Sequence, residues 1–110
     1  MLSGGRYFVW FKTPIGEGAS EVVLLPNGDL TGTDTNFSYT GHWAQVAGRF
    51  KADIRAKRFA PGPPGVFGLD EIDIVVSGLS TDEEVLSGVG FAKQAPALKL
   101  SITFSRMDSG

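Results

Sequence analysis

At 110 residues the chain makes one domain, and 42% apolar with 20% charged residues is the composition of a folded globular protein, not a disordered one. Fifteen glycines and six prolines are too many for a helix bundle and suit short strands joined by turns. A net charge of −2 argues against bulk nucleic-acid binding, and the lack of cysteine removes disulfides, thiolate nucleophiles and cysteine-ligated metals.

The first residues carry no basic segment followed by an apolar core and a cleavage site. No apolar run approaches the ~20 residues that span a bilayer, so the cytoplasm is the expected location, with no membrane partner. Arg6 to Lys12 then reads as a strand by its aromatic and β-branched content. Tyr7, Val9 and Phe11 share one face, Phe8 and Trp10 the other. Two apolar faces imply that one meets the core and the other is covered, either by a loop or terminus or by a second copy of the chain, which makes Phe8 and Trp10 the candidate dimer interface. Thr13 to Ala19, with Pro14, Gly16 and Gly18, reads as a turn; Gly16-x-Gly18 lacks the third glycine and the following helix of a dinucleotide site.

Glu21–Leu25 and Asp29–Thr33 form a hairpin around Pro26-Asn27-Gly28. Proline sets the first central φ, asparagine suits the second, and glycine takes the left-handed position that closes the loop through a bulge. Phe37, Tyr39, Gly41 and Trp43 continue at period two to Ala44, and Gly48 breaks that strand from the next. Arg49–Arg58 has the cleanest alternation in the chain: Phe50, Ala52, Ile54 and Ala56 point one way, Arg49, Lys51, Asp53, Arg55 and Lys57 the other.

Ala60–Gly68 is dominated by proline and glycine and reads as a long connection with lid-like character. Ile72, Ile74 and Val76 mark a strand over Leu69–Ser77. Ser80-Thr81-Asp82-Glu83 fits a capping box that could open a single helical turn, and Val85–Phe91 reads as a weak strand. Leu98, Leu100, Ile102 and Phe104 close the chain as a final strand. About eight short strands in near-sequential hairpins are best satisfied by an all-β fold, a small eight-stranded antiparallel up-and-down barrel or near-barrel of lipocalin or calycin type; a sandwich is the competing solution.

Candidate chemistry is sparse. His42 is the single histidine, so a zinc site and a histidine-based triad both lack members, and no base–nucleophile set can be assembled. Asp70/Asp73 and Asp82/Glu83/Glu84 sit at strand ends or turns, where solvation keeps carboxylates ionised, and they lack calcium-loop spacing. Neither a cofactor nor a metal is expected. The basic row of Arg49, Lys51 and Arg55 has no interleaved aromatics of the kind that stack single strands, so a protein partner is the expected occupant, with no direct nucleic-acid contact. The barrel interior is the other candidate, for a small apolar ligand held by Tyr7, Phe11, Tyr39, Trp43 and Phe50; side chains this bulky predict a narrow or filled interior.

Leu25-Pro26-Asn27-Gly28-Asp29-Leu30-Thr31-Gly32-Thr33-Asp34 with Tyr39-Thr40-Gly41, together with the opening Gly5-Arg6-Tyr7-Phe8-Val9-Trp10-Phe11, resembles the GrlR-like family of type III secretion negative regulators. The resemblance covers residues 1–58 well. It implies a lipocalin-like barrel, often dimeric, with an apolar groove, which binds a helix-turn-helix transcriptional activator and keeps it off DNA. That family's contact is an acidic run just after the Tyr-x-Gly; the corresponding positions here are Gln45-Val46-Ala47, followed by a basic strand. Leu30-Thr31-Gly32-Thr33 with Tyr39-Thr40-Gly41 is also similar to avidin-type barrels, although only Trp10 and Trp43 are present to line a biotin pocket.

Overall fold

A computed structural model describes residues 4–62, 68–80 and 84–107. Eight antiparallel strands run β1 (Gly5–Thr13), β2 (Gly16–Leu24), β3 (Asp29–Thr33), β4 (Phe37–Val46), β5 (Arg49–Arg58), β6 (Glu71–Ser80), β7 (Val85–Ala92) and β8 (Ala95–Arg106). Each pairs with its sequence neighbour and β8 pairs back onto β1, so the sheet closes as an up-and-down barrel and leaves no open edge. The closing seam is in register from Tyr7 opposite Arg106 to Lys12 opposite Ser101. A barrel, not a sandwich, therefore satisfies the alternation.

Strand bounds depart from the sequence reading where glycine misleads. Thr13 pairs with Gly16, so only Pro14 and Ile15 form the β1–β2 turn and β2 begins five residues before the expected Glu21. Gly18 belongs to that strand because a methyl group there would lie 2.9 Å from the Phe11 ring, which covers the space. In β7, Gly88 stands opposite Gly78 of β6, and neither has room for a Cβ against the neighbouring backbone. The Pro26-Asn27-Gly28 loop is as expected: the Gly28 N–H donates to the Leu25 carbonyl at 3.0 Å, and Gly28 takes φ +97°. The capping box falls partly, at 81–83, outside the described residues, as do 63–67 of the long β5–β6 connection.

The barrel has two unlike ends. At the Gly5 end, Tyr7, Phe50 and Phe104 are fully buried, with the Phe50 and Phe104 rings 5.3 Å apart and Tyr7 edge-on to Phe104 at 6.5 Å. Trp43 stacks on Phe50 at 6.2 Å and donates its indole N–H to the Leu25 carbonyl, pinning the β2–β3 turn over this plug. At the Thr13 end Phe11, Phe37 and Tyr39 stand among aliphatic side chains, and the packing opens. No helix long and apolar enough to cross a membrane occurs among the described residues.

Candidate functional site

The open end holds a cavity of about 280 Å³. Phe104 is its floor, Ile54, Ile74 and Ile102 are among its walls, and its rim runs past Gly18, Asn36 and Leu69. Of the five aromatic residues expected inside, Phe11 and Tyr39 line this space. Tyr7, Trp43 and Phe50 do not. They are consumed in the plug, where ring-on-ring packing leaves no void for a ligand. The interior is thus filled at one end and hollow at the other.

Sequence reasoning missed Asp34, which organises the cavity's polar corner. Its Oδ1 accepts the N–H groups of Asn36 at 2.9 Å and Phe37 at 2.7 Å, an Asx arrangement that shapes the β3–β4 turn. Its Oδ2 accepts the Tyr39 hydroxyl at 2.6 Å. Burial, with the Asp34 carboxylate beside it, pushes the Tyr39 phenol well above its ordinary range, so Tyr39 stays protonated and donates. The turn is tied to the β5–β6 connection by Asn36, whose side-chain amide donates to the Pro61 carbonyl at 3.0 Å. An Asp three residues before an inward aromatic, in a short loop, was the available signal.

The outer wall divides by charge. On β5, Arg55 pairs with Glu71 and, at 2.8 Å, with Asp73. Hydrogen bonding to Arg55, aided by Gln94, holds the Asp73 carboxyl below the usual carboxylate range. Arg58 lies 4.7 Å over the Phe37 ring and bonds Asp70 at 2.7 Å. The expected basic row is therefore interrupted: Arg55 is occupied by β6, whereas Arg49 and Lys51 stand opposite Leu79 and Ser77. Exposed Val46 and Leu79 flank Arg49 across the ladder, giving a basic edge with an apolar border.

Beyond that edge two rows of the wall are uncharged, with Lys12 in the row that follows them. Across β7, β8 and β1, Val85, Ser105 and Phe8 lie side by side, and Ser87, Thr103 and Trp10 form the next row. Phe8 is 46% and Trp10 52% exposed, so the second apolar face of β1 is left half open to solvent, and Val89 is 62% exposed. His42 sits on the opposite wall, its Nδ1 3.1 Å from Asp29. Among the described residues no three His, Asp or Glu side chains converge as a metal ligand set would. No family model and no curated protein matches the chain.

Proposed function

We propose that this protein is a non-enzymatic regulatory binding module acting by protein–protein contact, as its resemblance to the GrlR-like regulators of type III secretion implies. The observation that carries the reading is the contrast on the outer wall between an uncharged field two rows deep, flanked by Lys12 and Lys99, and a basic edge. A charge-free field of aromatic, β-branched and hydroxyl side chains can face its own copy across a two-fold axis without like-charge repulsion. Phe8 and Trp10 then anchor a homodimer, with Val89 and Lys12 in the row at its border. A basic edge cannot face itself in that way. Arg49 and Lys51, bordered by Val46 and Leu79, suit an acidic, partly apolar protein surface, and a DNA-binding activator is the partner class that the resemblance indicates.

The family's acidic run maps onto Gln45-Val46-Ala47, the tip of the β4–β5 hairpin, so the contact would keep its place and reverse its sign. Capture from the cell of origin tests this. Wild-type bait should retain an activator, identified by mass spectrometry, that an Arg49→Glu/Lys51→Glu bait loses. Equal capture by both removes the basic edge from the account.

A further inference from the structure

We propose that the cavity at the Thr13 end is a binding site for a small, neutral, largely apolar molecule carrying one hydrogen-bond donor, such as a phenol, an indole or an alcohol with a short apolar body. Size sets the first limit. A dry apolar cavity of about 150 Å³ accepts one benzene ring. At about 280 Å³, this space takes a single ring with a short chain, or two fused rings.

Polarity sets the second. Among the described residues no Lys, Arg or His lines the cavity, whereas Asp34 and Glu17 do. An anionic ligand would enter a low-dielectric space with no cation to meet it and a carboxylate already present. Besides the Ser20 and Thr35 hydroxyls, the hydrogen-bonding part of the lining centres on the Asp34–Tyr39 pair. A carboxylate offers about four acceptor positions. Asn36 N–H, Phe37 N–H and the Tyr39 hydroxyl occupy three of them. The Tyr39 hydroxyl hydrogen is engaged in the bond to Asp34, so its oxygen has only lone pairs left to offer. The pair is thus acceptor-only, and it rewards a ligand O–H or N–H over a ligand carbonyl or ether.

Shape sets the third. Phe11 lies across Gly18 and meets Tyr39 edge-on at 6.3 Å, so an aromatic wall stands beside the acceptors. A ring stacked there would place a para hydroxyl near the Asp34–Tyr39 pair and its alkyl tail against Ile54, Ile74 and Ile102.

Three probes of matched size test the assignment by isothermal titration and methyl NMR of the intact protein. 4-Propylphenol should bind saturably, shifting the isoleucine methyls of the cavity while leaving the exposed Ile15 unmoved. 4-Propylanisole, which has no donor, should bind about threefold to tenfold more weakly, the worth of one hydrogen bond. 4-Propylbenzoate, ionised at neutral pH, should show no saturable binding. Ala56→Phe fills the cavity from β5 and should abolish phenol binding with the β-sheet circular dichroism unchanged; if that variant does not fold, the isoleucine shifts of the wild type carry the test. Equal affinity for all three probes, tighter binding of the benzoate, phenol shifts confined to surface methyls, or no saturable phenol binding would each overturn the proposal.

Discussion

At the scale of single residues, the chemistry resolves into Asp34, Tyr39 and Ala47. Tyr39→Phe removes the bond to a buried-side carboxylate and should cost about 1–2 kcal/mol in chemical denaturation. The same bond fixes a pH dependence. The Tyr39 phenol is raised in the folded state, so the unfolded chain releases the proton first, and folded stability falls as pH climbs past the ordinary tyrosine value of 10.0. Below that value both states hold the proton and this contribution is flat. Wild type should therefore lose stability above pH 10 by up to about 1.4 kcal/mol per pH unit from this group, and Tyr39→Phe should lose that part of the slope. Ala47 takes φ +53° in the β4–β5 turn, a left-handed conformation that costs a side chain but not glycine about 1 kcal/mol. Ala47→Gly should raise the midpoint of thermal unfolding by several degrees, about 4–8 °C per kcal/mol for a small domain. A thermal melt that is unchanged or lowered would show that the turn is not strained.

At the scale of elements, inward glycines are what allow strands to approach closely as the wall curves. Gly41 faces inward between Tyr39 and Trp43, and any Cβ there would overlap the Asp53 carbonyl oxygen of β5. Gly41→Val should break the β4–β5 ladder and leave little folded protein by circular dichroism, whereas at Gly28 a Cβ would meet the Trp43 carbonyl only at an ordinary 3.5 Å contact, so that glycine matters for its φ. These glycines also explain what was legible in the sequence. Period-two alternation in Phe50–Ala56 and Leu98–Phe104 gave the inward faces directly, because each face carries large apolar groups. Gly16 and Gly18 hid the first residues of β2 as turn signals, since a glycine such as Gly18, chosen for lack of space, looks like one chosen for φ. The cavity was less legible than the strands. It depends on which barrel end receives the aromatics, and that is set by strand stagger, which no local pattern encodes. The ion pairs of the basic row were hidden for a similar reason: Glu71 and Asp73 neutralise Arg55 from a neighbouring strand, and their registration across β5–β6 follows from folding. Being solvent-exposed, that cluster should contribute little. Arg55→Ala should unfold within a degree or two of wild type, with the gap closing at high salt.

At the scale of the whole molecule, a closed barrel with one plugged and one hollow end leaves two kinds of working surface, the cavity and the wall. The wall carries its basic edge on β5 and, across β7, β8 and β1, a bare field two rows deep bordered by Lys12 and Lys99, so a regulatory partner and a second copy need not compete for the same residues. Self-association through the bare field is the part of this account on which the remainder of the interaction reading depends, because it decides whether exposed Phe8 and Trp10 are an interface or only surface. Sedimentation equilibrium of the wild type and of Phe8→Glu/Trp10→Glu measures it directly. The wild type should sediment at twice the 11.7 kDa chain mass, and the variant at the chain mass with its β-sheet circular dichroism intact. A wild type that stays at the chain mass across micromolar concentrations, or a variant that associates equally well, would contradict it.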